Sequence, residues 1–134
     1  MLRGLPAPIR DEDTEPFWSA CDRGELVAQR CGACQTFRWP PGPGCPNCGD
    51  TGSDWVPVKG HGVVYSWVVV RIPLTDALAE QIPYAVGLIE LPEGIRIVST
   101  ITEISPEDIR AGMPVRVVFP ESSDRPAIFS FIPV

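Results

Sequence analysis

A mainly β chain, with one short helix and a metal-clamped ribbon ahead of a small barrel, is predicted by three features of this 134-residue sequence. Cys31 and Cys34, then Cys45 and Cys48, form two Cys-x-x-Cys pairs with ten residues between them. After the turn-rich run Asp50, Thr51, Gly52, Ser53, apolar residues recur at period two in short segments broken by Gly and Pro. Between the third and fourth of these segments sits a single helix start at Ser105. An N-terminal helix, a rubredoxin-like zinc ribbon and a five-stranded OB-fold barrel account for all three. The expected units are an arm and helix over residues 1–24, the ribbon over 25–52 and the barrel over 53–134.

Residues 1–12 are polar, carry Pro6 and Pro8, and need a neighbour to become ordered. A helix follows over 14–23: Asp13 or Thr14 caps it, Pro16 suits its first turn and Gly24 ends it. Phe17 and Cys21 share one stripe of this helix, Trp18 and Asp22 the next. Two adjacent bulky aromatics on so short a helix leave two arrangements. Both pack under the ribbon, or one docks outside the chain.

The ribbon uses 26–30 and 36–39 as strands leading into and out of the first Cys-x-x-Cys knuckle. Gly32 and Gly49 are expected to supply the permissive turn dihedrals, and Pro40, Pro41, Pro43 and Pro46 stiffen the connection. Four thiolates close a tetrahedral site and leave no position for water, so the ion, zinc, is structural. Two disulfides fit less well, because the chain has five cysteines, no apolar secretory segment near Met1 and pairs too locally spaced to staple distant elements. Iron, as in rubredoxin-type electron carriers, uses the same knuckles and is distinguished by colour. Cys21, on the helix, reads as packing rather than as a nucleophile.

In the barrel, Val63, Tyr65, Trp67 and Val69 alternate with Val64, Ser66, Val68 and Val70. Both faces of this strand are apolar, as a barrel with outside cover demands. One long strand over 54–71, bent at Gly60, His61 and Gly62, brings the count to five; the same glycines also fit a hairpin turn between separate strands. Strands over 84–91 and 95–101 flank a three-residue hairpin loop, Pro92, Glu93, Gly94. Ser105 caps a short helix with Asp108 reciprocating, and Gly112 closes it. Val115, Val117 and Phe119 form the fourth strand and 127–132 the last. The long loop 72–83 contains a helical-looking segment, 74–82, and is a candidate binding lip.

The formal net charge is −6, and a divalent ion in four thiolates adds about −2. Lysine occurs once, at Lys59, so the polybasic patch that phosphate backbones or membranes require is missing. No apolar run approaches a bilayer span, and a reducing cytoplasm is the expected compartment.

A further set of motifs is specific when taken together: Pro16-Phe17-Trp18, Leu26 before Arg30-Cys31-Gly32-Ala33-Cys34, Pro40-Pro41, Cys45-Pro46-Asn47-Cys48-Gly49, Gly62-Val63-Val64-Tyr65-Ser66-Trp67, Pro83-Tyr84 and Gly112-Met113-Pro114-Val115. From Pro16 onward the chain resembles the zinc-ribbon and OB-fold proteins that accompany thiolase-fold enzymes, a family long known as a domain of unknown function. The resemblance implies an accessory subunit of a hetero-oligomer. Its partner would be a thiolase, an acyltransferase or a sterol-carrier-like aldolase that splits side-chain acyl-CoA thioesters in steroid breakdown. It also implies either binding of acyl-CoA or completion of the catalytic subunit, and a hydratase fused to or acting beside some members; with no hydratase domain in this sequence, that partner is expected as a separate polypeptide.

Catalysis by the chain itself is not expected. His61 is the only histidine, and between two glycines it reads as a turn residue. Asp76, Glu80 and Glu90 are scattered acids. Coenzyme A phosphates need fixed cations, for which Arg71, Arg96, Arg116 and Arg125 are candidates unless they are solvated outer-face residues. Phe17, Trp18, Phe37 and Trp39 are the candidates for partner or ligand contact around the ribbon. The rival class is single-stranded nucleic-acid binding, with Tyr65, Trp67 and Phe119 as stacking platforms; the acidic balance opposes it, and no nucleic-acid or membrane partner is expected.

Overall fold

A carboxylate just outside the helix sets its start. Asp11 Oδ1 accepts the backbone N–H groups of Asp13 and Thr14, at 3.0 and 2.9 Å, and the Thr14 hydroxyl accepts that of Asp11. In this computed structural model, which describes residues 1–121 and 128–134, the helix α1 spans Glu15–Asp22. Thr14 holds the cap position but makes no side-chain bond into the helix, so the local ring at Asp11 replaces the expected cap. At the other end Gly24, at φ 75°, lets Glu25 N–H reach Ala20 O and Gly24 N–H reach Cys21 O, the paired bonds of a Schellman stop. Phe17, Ala20 and Cys21 face the core.

The arm finds the neighbour it needs. The Gln81 side chain accepts the Arg3 N–H and donates to the Arg3 carbonyl, both at 2.8 Å, and Arg10 pairs with Asp22 and Glu15.

Strand β1, Val27–Cys31, lies between β2, Phe37–Arg38, and β3, Ser53–Pro57, both antiparallel to it. The ribbon therefore has three strands. β3 pairs with β1 along its whole length, Val27 opposite Pro57 and Cys31 opposite Ser53. This corrects the single bent strand expected over 54–71. β3 stays with the ribbon, and the next strand, β4, His61–Val70, opens the barrel. A side chain at Gly62 would collide with the Glu90 carbonyl, which explains the glycine where β4 enters the barrel.

The barrel is closed in the order β4-β5-β6-β8-β7, with β5 at Tyr84–Glu90, β6 at Arg96–Ile101, β7 at Pro114–Val118 and β8 at Ser130–Pro133; β7 pairs back onto β4. Only β6 and β8 run parallel, as the OB topology requires. The β5–β6 hairpin closes on the expected Pro92, Glu93, Gly94 loop through Leu91 N–H to Ile95 O and Gly94 N–H to Leu91 O. Before β7, Pro106–Asp108 is one 3-10 turn without a side-chain cap from Ser105, so the expected helix with its reciprocal cap does not form. In the loop after β4, the helical-looking segment reduces to the 3-10 turn Asp76–Leu78.

One feature of β4 changes which side chains point inward. A bulge between Val64 and Ser66 shifts the register by one residue at Tyr65. Val64 is wholly buried, and Trp67 packs against the core from the opposite phase, while Tyr65 and Val68 are 50% and 62% exposed. Both faces are indeed apolar, and the outer one stays largely exposed, with the Arg96 guanidinium over the Tyr65 ring. The core is continuous across the lobes: Phe17, Cys21, Leu26 and Ala28 belong to the same cluster as Val64, Ile89, Ile97, Val115 and Phe131.

Candidate metal centre

The end of β1 delivers Cys31 with its N–H bonded to Thr36 O and its carbonyl accepting Gln35 N–H. Gln35, at φ 65°, makes the reversal in this knuckle, a place sequence reasoning gave to Gly32. The second knuckle repeats the plan with Gly49 at φ 80°, its N–H on Cys45 O, and the loop tied down by Cys45 N–H to Asp50 O at 2.8 Å. Gln35 and Gly49 occupy equivalent positions, each four residues after the first cysteine of its pair.

These turns bring four sulfurs together. All four Sγ atoms lie within 4.8 Å of one another, with Cys31 to Cys48 at 3.5 Å and Cys34 to Cys45 at 3.6 Å. A tetrahedron of sulfurs at the usual zinc–sulfur length has edges of about 3.8 Å, so the cage fits that ion. Its inner side is buried at Cys31 and Cys45; Cys48 is exposed.

Neighbouring donors tune the thiols. Hydrogen bonding with the Thr36 hydroxyl, which lies 3.2 Å from the sulfur, and then donation from the Asn47 amide pull Cys34 down to about 5. Backbone N–H donation from Cys48 lowers Cys45. At Cys48 the Asp50 backbone bond also lowers the value, but the sulfurs of Cys31 and Cys34 outweigh it and push the thiol up to about 12. Cys34 and Cys45, one from each Cys-x-x-Cys, are thus shifted toward thiolate, which is the form a metal ligand takes. Thr36 and Asn47 escaped sequence reasoning, although Asn47 lies inside the second Cys-x-x-Cys.

The other candidate residues scatter. Phe17 is 1% exposed, stacked edge-on against Trp18, Trp39 and Phe129 at 5.0, 4.5 and 5.7 Å, so it serves the core and has no surface left for a partner. Trp18, Phe37 and Trp39 are half-buried around that junction, with the Arg30 guanidinium 5.9 Å from the Phe37 ring centre. Arg96 pairs with Glu90 at 2.9 Å and lies over the Tyr65 ring at 3.7 Å, which occupies one face of that aromatic. Arg116 sits opposite the exposed His61 near the same end of β4, whereas Arg71 follows the far end, so the structure does not gather Arg71 with the other two. Arg125 lies outside the described residues. Trp67 and Phe119 pack against the core, and Cys21 is buried, its thiol pushed up to about 12 by desolvation and then by Asp22. No helix among the described residues is long and apolar enough to cross a membrane.

Comparison with known proteins gives a ribbon and a barrel in the same order, with the boundary between the two falling inside β3. The family described as "ChsH2, rubredoxin-like zinc ribbon domain" matches residues 18–54, and "ChsH2, C-terminal OB-fold domain" matches residues 55–120. The "Probable enoyl-CoA hydratase alpha subunit" of Thermomonospora curvata is 46% identical over 85% of this chain and 34% of its own length. The "3-oxo-4,17-pregnadiene-20-carboxyl-CoA hydratase alpha subunit" of Mycobacterium tuberculosis is 31% identical over 87% of this chain and 37% of its own. The chain thus spans about a third of the length of these two relatives. A "DUF35 domain-containing scaffold protein" of Methanocaldococcus jannaschii is 35% identical over 87% of this chain and 83% of its own length. Among solved structures, a chain of "Ltp2-ChsH2(DUF35) aldolase" superposes with a TM-score of 0.84 at 40% identity, covering 94% of this chain and 98% of that one. Cage geometry and family agree that Cys31, Cys34, Cys45 and Cys48 form a structural zinc site.

Proposed function

The chain belongs to the ChsH2-type, DUF35 family of zinc-ribbon and OB-fold proteins, and from that premise we propose that it is an accessory subunit of a thiolase-fold acyl-CoA enzyme. The partner we favour is an aldolase that cleaves a carbon–carbon bond in the acyl side chain of a steroid-like thioester. The observation that carries this reading is the near full-length likeness, at 40% identity, to the chain from an aldolase whose name pairs two components. The pregnadiene-carboxyl-CoA name of one relative supports the substrate class, and the scaffold name of another supports the non-catalytic role.

The zinc, held by four cysteines with no ligand position free, would supply rigidity and not Lewis acidity. What the chain offers a partner is surface. Val68 and Val98 on the barrel are 62% and 59% exposed, and Ile72 and Leu74 in the loop after β4 are 78% and 77% exposed. Trp18, Phe37 and Trp39 extend the apolar contact around the ribbon junction. Arg96 and Arg116, near one end of β4, are proposed for coenzyme A phosphates, with Arg71 at the far end able to serve only a separate contact, the whole acting in the cytoplasm.

Co-purification of the tagged chain from its native host tests the proposal. A thiolase-fold enzyme is expected at comparable molar amount, with carbon–carbon cleavage of an acyl-CoA requiring both chains. A monomeric chain, or a partner enzyme fully active without it, would overturn the reading. Thermal protection of the chain by millimolar coenzyme A tests direct contact separately.

A further inference from the structure

In the ribbon sheet that carries Cys31 lies a buried cation with no acid paired to it among the described residues. Arg38 is 5% exposed, and among the described residues its guanidinium forms no ion pair. Its Nε donates to Gln29 Oε1 at 3.0 Å and its Nη2 to the Gly42 carbonyl at 3.0 Å, while Nη1 has no hydrogen-bond partner among the described residues. Gln29, itself 6% exposed, accepts the Gly42 N–H on the same oxygen at 2.8 Å and reaches Ser53 Oγ with its amide at 3.4 Å.

The placement of these groups is specific to the cage. Gln29 stands directly opposite Arg38 across β1 and β2, two residues before Cys31 and on the same strand face as it. Ser53 is the register partner of Cys31 on β3. Gly42 lies in the connection between the knuckles, three residues before Cys45, and both its N–H and its C=O are held. One buried network therefore ties all three ribbon strands to the loop that must return the second cysteine pair to the first.

A buried guanidinium without a carboxylate is costly unless some other negative group offsets it. The same small sheet carries one: a divalent ion in four thiolates, with a net charge of about −2. A planar fork with several donors also suits the task of gripping a side-chain oxygen and a main-chain oxygen at once, which a lysine ammonium does less well.

We propose that Arg38, seated on Gln29, is the positioning residue of the zinc site: it fixes the connection at Gly42 so that Cys45 and Cys48 arrive at coordinating distance, and its charge offsets part of the anionic cage. The inference stands on the ribbon alone and does not depend on which enzyme the chain accompanies.

Chelator competition on the full chain tests it, with R38M, R38K and Q29L compared with the wild type. R38M is expected to lose zinc affinity by about 10- to 100-fold, the usual range for groups that orient metal ligands. Q29L, which keeps the cation and removes its seat, is expected to lose about 10-fold, and R38K to fall between wild type and R38M. The cobalt(II)-loaded forms of R38M and Q29L should show altered d–d absorption, a signature that packing alone would not move. Should R38M fail to fold, Q29L decides the matter by the same readouts. Wild-type affinity and an unchanged cobalt spectrum in the folded variants, or equal melting-point losses with and without zinc, would overturn the proposal. R38K losing as much as R38M would remove the charge component.

Discussion

Cys21 illustrates how a single residue is assigned by its surroundings. Its stripe on the helix, shared with Phe17, pointed to packing, and the structure buries it at 1% exposure with the thiol pushed up to about 12 by desolvation, then by Asp22. A folded-state value above the unfolded one means that the neutral thiol stabilises the fold fully below pH ~8.5, and that this contribution is lost as pH rises toward 12. Zinc-loaded wild type should therefore lose stability between pH 9 and 11 more steeply than Cys21→Ala, which should cost about 1 kcal/mol at neutral pH and show a flatter alkaline profile in denaturant titration. Phe17 carries the complementary lesson. Its apolar character was evident from the sequence, but whether it faced a partner or the core depended on Trp39 and Phe129, which are 22 and 112 residues away along the chain.

Elements were legible where local chemistry dictates them. The knuckles, the Gly24 stop and the Pro92-Glu93-Gly94 hairpin follow from residues within a few positions of one another. β3 was not legible, because residues 53–57 have the same period-two pattern whether they pair with the ribbon or the barrel; only the five-residue register with β1 assigns them. The bulge at Tyr65 was hidden for a related reason, since apolar residues on both sides of it suit either phase. The three-stranded sheet depends on its metal at one end. Stripping zinc, or Cys34→Ser, should remove on the order of 10 kcal/mol of binding free energy from the ribbon. Hydrogen exchange should then show protection lost across β1–β3 while β4–β7 keep most of theirs, with a lowered barrel midpoint because Leu26 and Ala28 share its core.

For the whole molecule, the largely exposed outer face of the barrel matters most. An apolar surface containing Val68 and Val98 is expected to be spent on a partner, with an acidic rest of the chain keeping it soluble. V68D and V98D should leave the melting point within about 2 °C, as exposed sites usually do, yet reduce recovery of the partner enzyme in pull-down by at least about tenfold. Retained recovery with both aspartates would move the docking face to Trp18, Phe37 and Trp39.

Taken by itself, the sequence determined the metal cage, the order of helix, ribbon and barrel, and the family, because thiolate spacing, turn glycines and alternating hydrophobicity act over short stretches of chain. The tertiary structure alone decided which sheet owns residues 53–57, which aromatic is core, and that Arg38 rests on Gln29 and Gly42 in the ribbon. Those outcomes depend on pairings between segments that meet only after the chain has folded, and local patterns are silent about pairings.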